Sequence, residues 1–414
     1  MKRVVITGIG VLTPIGNTVA EYARALKSGA SGAAPITHFD TTHFKTKFAC
    51  EIKNFQPEIA IDKKEIRRLD LYTQYAMVAA HEAIEQAELD LEQLDLTQIG
   101  VIWGSGIGGL NTLEKEIMDF AKSPSGVPRH NPFMIPKMIS NIAAGQIAIR
   151  YGMMGVNYAT VSACATSAHA LINAMDCIRL GRANIIIAGG SEAVITATAI
   201  GGFNSMKAMS ERNDDPTTAS RPFDLERDGF VLGEGAGALV LEEYEHAKKR
   251  GARIIAEICG GGMTDDAYHI TAPHPEGIGA KNAMLFALRD AEMNIEDIDY
   301  INVHGTSTPL GDIAEIKAIQ HVFGDKAYGL NISSTKSMTG HLLGAAGVIE
   351  AIAGIIAIEQ QFIPPTINHF TDDPAIDPKL NLTFNVAQER KVRAVLSNAF
   401  GFGGHNTTVI LKKI

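Results

Sequence analysis

One cysteine, two histidines and a lysine stand out in this 414-residue sequence: Cys164, His304, Lys336 and His341. Each lies in a short polar stretch that follows or precedes an apolar run. A thiolate attacks carbonyls, imidazoles move protons near neutral pH, and this set at strand ends suits acyl transfer through a thioester. The sequence alone does not place the four side by side.

The elements around them predict how they are held. An apolar run from Val156 to Val161 gives way, after Ser162, to apolar residues at helical spacing that run to Leu180 and stop at Gly181. That is a strand, a corner and a helix. With Ser162 as N-cap, Cys164 falls in the first helical turn, where free N–H groups and the helix dipole favour a thiolate. The competing reading is an inert buried thiol. Val303-His304-Gly305-Thr306-Ser307-Thr308-Pro309 puts a histidine directly after an apolar strand, in a loop dense with hydroxyls; a satisfied structural histidine fits the same pattern. Ser333 to His341 is a polar corner leading into the apolar helix Leu342–Glu359, so Lys336 and His341 are expected to face a cleft and to have partners. Ser397 to Asn406 reads as a glycine-rich loop whose Phe400 and Phe402 approach a ligand, with Phe402 free to swing.

Between these corners, strand-like and helix-like runs alternate, which predicts an α/β protein with a parallel or mixed sheet covered by helices. Expected strands include Arg3–Ile9, Gly100–Gly104, Asn184–Ala188, Val231–Glu243, Ile254–Ile258, Tyr300–Val303 and Leu330–Ser333. Helices are expected near Val19–Ser28, Asp70–Ala87, Gly279–Ala291 and Asp312–Val322. Glu245 to Gly251 reads as a solvated junction between two similar series, residues 1–250 with Cys164 and residues 251–414 with His304, Lys336 and His341. No residue-level repeat proves a duplication.

Composition bounds the function classes. At 46% hydrophobic and 20% charged, the chain is globular. A net charge of −9 argues against a general nucleic-acid binder. Cys50, Cys164, Cys177 and Cys259 form no C-x-x-C pair and show no zinc spacing, which points to a reduced, cytoplasmic protein. The N-terminal apolar run is broken by Gly8, Gly10 and Pro14, and Leu342–Glu359 carries Glu350 and is too short for a bilayer, so no membrane association is expected. Gly104-Ser105-Gly106-Ile107-Gly108-Gly109 satisfies G-x-G-x-x-G after a strand, but no acidic-ended second strand follows, and close backbone packing is the preferred reading. Gly233 to Gly237 lacks the Lys-Ser/Thr of a P-loop and reads the same way.

Four motifs in order carry a family resemblance: Ser162-Ala163-Cys164-Ala165-Thr166-Ser167, His304-Gly305-Thr306-Ser307-Thr308-Pro309-Leu310-Gly311-Asp312, Lys336-Ser337-Met338-Thr339-Gly340-His341 and Asn398-Ala399-Phe400-Gly401-Phe402-Gly403-Gly404. Over essentially its whole length the chain resembles the elongating β-ketoacyl-acyl carrier protein synthases, nearest synthase II, in the thiolase-like superfamily. The resemblance implies a duplicated α/β fold with two mixed sheets between helical layers, a homodimer, and a partner acyl carrier protein bearing acyl or malonyl groups. No cofactor and no metal are implied.

It further implies that Cys164 takes the acyl chain as a thioester, and that His304 and His341 promote decarboxylation of malonyl carrier and stabilise the enolate. A histidine rather than asparagine at 341 favours elongation over initiation. Lys336 becomes an organiser of the site rather than a base. Backbone N–H groups of Cys164 and Phe402 form an oxyanion hole, Phe402 gates the acyl pocket with Phe400 beside it, and Ile107 and Phe203 line that pocket. Lys64, Arg67, Arg68, Arg129 and Lys207 correspond to a basic carrier-docking patch. Ala399, where many relatives have serine, and His169 depart from the pattern. Polyketide or aryl-polyene ketosynthases remain an alternative. A thiolase carries a further C-terminal catalytic cysteine, whereas no cysteine follows Cys259, and a silent chain-length factor lacks the nucleophile.

Overall fold

The computed structural model describes residues 1–414. Ten strands form one continuous ladder: β1 (Val4–Leu12), β2 (Ile99–Gly104), β3 (Asn157–Thr160), β4 (Ile185–Glu192), β5 (Gly235–Glu243), β6 (Ala256–Asp265), β7 (Tyr300–Asn302), β8 (Asn331–Ser333), β9 (Ala394–Gly401) and β10 (His405–Lys412). Their spatial order is β8-β7-β9-β10-β6-β1-β5-β4-β2-β3.

This order repeats itself. From its outer edge inward, the first five-strand set runs third, second, fourth, fifth, first, and so does the second set. The senses match as well. β2 pairs in parallel with β3 and β4, and the β4–β5 and β5–β1 pairs are antiparallel. β7 pairs in parallel with β8 and β9, and the β9–β10 and β10–β6 pairs are antiparallel. The sets meet where β1 pairs with β6 at Val4↔Ile258, Val5↔Glu257 and Ile6↔Ala256. A duplication that residue identities left open is therefore written in topology.

Side-chain alternation builds the layers. On β4, Ile186 and Ala188 enter the central core while Ile185 and Ile187 enter an outer one, the period-2 pattern of a strand buried on both faces. The central core takes residues from both strand sets and from two helices, Thr166–Arg179 and Ala346–Gln360. The second of these is buried from Ala346 to Ile358, which explains why its sequence shows no polar face. Helix Leu71–Gln86 covers the first strand set and helix Ile278–Asp290 the second. A Cβ on Gly10 would lie 1.9 Å from the Ala79 carbonyl, and one on Gly262 would lie 1.9 Å from the Ala283 carbonyl, so the same close approach recurs in each half.

The two central helices begin alike. A one-turn 3-10 segment, Ala163–Ala165, precedes the first, and Leu343–Ala345 precedes the second. The leading residue of each has positive φ, 50° at Ala163 and 46° at Leu343, a conformation that costs energy away from glycine and is held by the surrounding structure.

Three expectations change. The Ser397–Asn406 stretch is mostly strand: β9 and β10 form a hairpin, and only Phe402, Gly403 and Gly404 make the turn. Glycine density suggested a loop, but Gly401 is in β9. The junction after β5 is a short helix, Tyr244–Lys249, tied down where Arg250 donates to both oxygens of buried Glu242 at 2.8 Å. Ser162 makes no side-chain cap, because its hydroxyl pairs with His169 Nδ1 at 2.7 Å.

Candidate active site

Cys164 sits in the 3-10 corner between β3 and the Thr166–Arg179 helix and is buried. Thr166 locks the corner: its Oγ1 accepts from the Ser162 N–H at 2.8 Å, and its carbonyl accepts from Thr160 Oγ1 at 3.0 Å. The second half supplies the partners. His341 is held by its own backbone, donating to the Val231 carbonyl at 2.7 Å and accepting from the Gly233 N–H at 2.9 Å. That places His341 Nε2 3.0 Å from Cys164 Sγ.

His304 follows β7, and the His304 and His341 rings stand edge to face at 5.3 Å between centroids. The His304 corner hangs on Glu315. The Glu315 carboxylate accepts from the His304 and Gly305 N–H groups at 2.9 and 2.8 Å and from Asn398 Nδ2 at 3.1 Å. Lys336 is fully buried and ion-paired with Glu350 inside the Ala346–Gln360 helix.

Charge and burial set the protonation of the site. Burial pushes both histidines well below the usual imidazole range, and the Lys336 ammonium pushes the same way; for His304, His341 adds to it. Both imidazoles are thus neutral near pH 7, each with one N–H to donate. Burial pushes Glu315 and Glu350 up to about 7, against their hydrogen-bond donors and the Lys336 charge. Burial also pushes the Cys164 thiol up to about 12, with Lys336 and the Phe402 backbone amide pulling the other way. Desolvation thus works against the thiolate favoured by a helix start, and favours a thiol within hydrogen-bond reach of His341.

These groups open on one cavity of about 520 Å³. Ile107, Cys164, Phe203, His304, His341, Phe400 and Phe402 all line it, as does Lys207. Lys336 lies behind the wall. Phe400 packs against His304 at 5.6 Å, and Phe230 stacks edge-on between Phe203 and His341, at 5.3 and 5.5 Å. The hairpin turn that carries Phe402 has φ of +91° at Gly403 and +87° at Gly404. A Cβ on Gly401 would meet the Ser162 carbonyl at 2.6 Å and Cys164 N at 3.0 Å, so the strand can lie against the nucleophile only without a side chain there.

Lys64, Arg67, Arg68, Arg129 and Lys207 are exposed, and of these five only Lys207 reaches the cavity. Arg68 is partly engaged, paired with Glu65 at 2.8 Å and lying over the Phe133 ring at 5.3 Å. Glu315, Asn398, Glu350 and Phe230 were not expected at the site. The available signal for Glu350 was a lone carboxylate inside a fully apolar helix, and a buried charge requires a partner. Glu315 sits in an ordinary amphipathic run and gave no such signal.

Two family models match the chain: "Beta-ketoacyl synthase, N-terminal domain" over residues 1–247 and "Beta-ketoacyl synthase, C-terminal domain" over residues 255–370. The 3-oxoacyl-acyl-carrier-protein synthase 2 of Staphylococcus aureus is 50% identical over 416 residues, covering 100% of this chain and 98% of the relative. The protein of that name in Synechocystis sp. is 48% identical over 415 residues, with the same coverages. Among solved structures, the ishigamide ketosynthase/chain length factor superposes with a TM-score of 0.92 at 38% identity, covering 100% of this chain and 99% of that one. A β-ketoacyl synthase from Burkholderia phymatum superposes with a TM-score of 0.92 at 35% identity, with both chains covered in full.

Proposed function

The chain belongs to the β-ketoacyl synthase family, and from that membership we propose that it is the acyltransferase that elongates fatty acyl chains by decarboxylating Claisen condensation. The acyl donor and malonyl donor are thioesters of acyl carrier protein, and the products are 3-oxoacyl carrier and CO2. The observation that carries this reading is the 3.0 Å approach of His341 Nε2 to Cys164 Sγ, with His304 beside it in the same cavity.

In the first half-reaction, Sγ attacks the acyl thioester carbonyl. The oxyanion is received by backbone N–H groups of Cys164 and Phe402. The carrier thiol leaves with the proton that Sγ gives up. In the second, malonyl carrier loses CO2 and charge builds on its thioester oxygen, which the neutral imidazoles of His304 and His341 stabilise by N–H donation. The resulting carbanion attacks the Cys164 thioester, a C–C bond forms, the C–S bond breaks, and the departing thiolate takes up the one proton the half-reaction consumes, from solvent. Burial keeps both imidazoles neutral, the Lys336 charge adds to that effect, and Lys336 is itself compensated by Glu350. Ile107 and Phe203 bound the acyl chain, and Phe402 moves to admit it.

The basic side chains Lys64, Arg67, Arg68, Arg129 and Lys207 meet the acidic carrier, with Lys207 nearest the mouth. The working unit is a homodimer. β3 is a sheet edge paired only with β2, and Phe120, Phe133, Ile135 and Ile139 are exposed, which supports burial against a second copy. Four free cysteines fit a reducing cytoplasm. The halves 1–250 and 251–414 act as duplicated units, one bringing the nucleophile and the other the histidines.

The test is a condensation assay with purified carrier loaded with acyl chains of graded length, read by mass of the 3-oxoacyl product. Absence of product with every chain overturns the reading. Iterative extension of unreduced 3-oxo chains places the enzyme in polyketide synthesis instead; the 48–50% identity to synthase 2 proteins favours fatty acids.

A further inference from the structure

The glycine loop after β2, which has the form of a dinucleotide fingerprint, is filled from inside the protein. Glu192, the last residue of β4, is fully buried. Its Oε2 accepts from the N–H groups of Gly106 at 2.8 Å and Gly344 at 2.9 Å. Its Oε1 accepts from the Ile107 N–H at 3.1 Å and Ser105 Oγ at 3.0 Å, and Ser105 Oγ in turn accepts from the Gly108 N–H at 3.0 Å. Converging backbone amides of this kind hold phosphates in nucleotide-binding folds. Here they hold a carboxylate belonging to the same chain.

The clamp joins two parts of the reaction cavity. Ile107 lines the cavity, and Gly344 stands three residues after His341. A Cβ on Gly344 would lie 2.4 Å from Gly106 N and 2.6 Å from Glu192 Oε2, and one on Gly106 would lie 2.7 Å from the same oxygen. The two loops touch through their backbones, and four donors converge on one side chain. No comparable link between the Ile107 loop and the His341 corner exists elsewhere in the site.

We propose that Glu192 is a positioning and specificity-determining residue, fixing the Ile107 wall of the acyl cavity to the corner that carries His341, so that accepted chain length and His341 alignment are set together. The proposal rests on the condensing function above. It differs from a purely structural role in one respect: disturbing Glu192 must change discrimination between acyl chains, not only the amount of active enzyme.

The experiment uses the full-length protein and the variants Glu192→Gln and Ser105→Ala. Gln replaces an acceptor oxygen with an amide that faces N–H donors, whereas Ala removes only the hydroxyl link. Cys164 acylation is followed by intact mass with acyl carriers of graded length, malonyl-carrier decarboxylation is measured separately, and melting temperature is recorded. In Glu192→Gln, the ratio of long-chain to short-chain loading changes by about tenfold and decarboxylation falls by a similar factor, the scale of a lost charged hydrogen bond. Ser105→Ala moves both in the same direction by less. Ile107→Ala shifts the ratio, and adding Glu192→Gln shifts it little further.

An unchanged chain-length ratio, or a loss uniform across chain lengths that follows the melting temperature, overturns the proposal. If Glu192→Gln does not fold, Ser105→Ala decides: a wild-type ratio and wild-type decarboxylation there overturn it. Wild-type protein that loads no acyl chain overturns the condensing function itself, and the clamp with it.

Discussion

Cys164 Sγ and His341 Nε2 lie 3.0 Å apart although 177 residues separate them in the chain. Both are buried, neither is charged at rest, and they come from equivalent corners of the two halves. Because burial holds the thiol near 12, reactivity toward a small electrophile depends on a minority thiolate. Iodoacetamide alkylation of Cys164 should therefore rise continuously with pH from 6 to 10. A plateau already reached at pH 7 would show a resting thiolate–imidazolium pair and sink this assignment. Cys164→Ala should lose loading and condensation completely while keeping its oligomeric state by light scattering.

His341→Ala and His304→Ala should each lower malonyl-carrier decarboxylation by about a hundredfold or more, the usual cost of one oxyanion donor. Loading of Cys164, measured separately by intact mass, should suffer less. A decarboxylation rate equal to wild type in either variant removes that histidine from its role.

Lys336→Met leaves Glu350 buried without its partner and should destabilise the fold by about 3–5 kcal/mol. The double variant Lys336→Met, Glu350→Gln should recover most of that loss, since no uncompensated charge remains. It should not recover wild-type chemistry. Without the Lys336 charge, the pKa values of His304 and His341 rise toward the ordinary value, so the acidic limb of the decarboxylation profile moves to higher pH. A limb that stays in place in the stable double variant contradicts the electrostatic role.

The same histidines set a pH dependence of stability. Their folded-state pKa values lie below the unfolded value of about 6.5, so the unfolded chain binds protons that the folded one refuses. Their contribution is complete above about pH 6.5 and is lost as pH falls below it. Glu315 and Glu350, raised to about 7, work in the opposite sense, so the comparison must be with His304→Asn, His341→Asn. Between pH 7.5 and 5 the wild type should lose more melting temperature than this variant; parallel curves would refute the assignment.

Charge reversal at Arg67 and Arg68 should raise KM for acyl carrier, leave kcat nearly unchanged, and weaken the salt dependence of the reaction. A carrier-free acyl-pantetheine substrate should not notice the change. Equal loss with both substrates would place the damage in folding rather than docking.

How much of this was legible in the sequence differs from residue to residue. The corner at Cys164 was readable because an apolar strand run and a helical period meet there, and the boundaries of Val19–Ser28 agree with those expected. The β9–β10 hairpin was hidden because glycine is ambiguous: Gly403 and Gly404 take left-handed conformations in a turn, while Gly401 is strand, kept small by the approach to Cys164. The push toward a thiol at Cys164 was not legible because local helix geometry is visible in a sequence and desolvation by distant residues is not. Glu192 escaped for the same reason, since three of its partners come from the β2 loop and one from the corner after His341, and no local pattern joins them.

The paired 3-10 corners carry a consequence of their own. Ala163-Cys164-Ala165 and Leu343-Gly344-Ala345 are two castings from one mould, each a single 3-10 turn opened by a residue of positive φ. In the second, the Gly344 amide is permanently occupied by Glu192. The first, at Cys164, opens on the reaction cavity. The same corner geometry thus appears once as a keystone tying two loops together and once as a workbench that mounts Cys164 at the cavity.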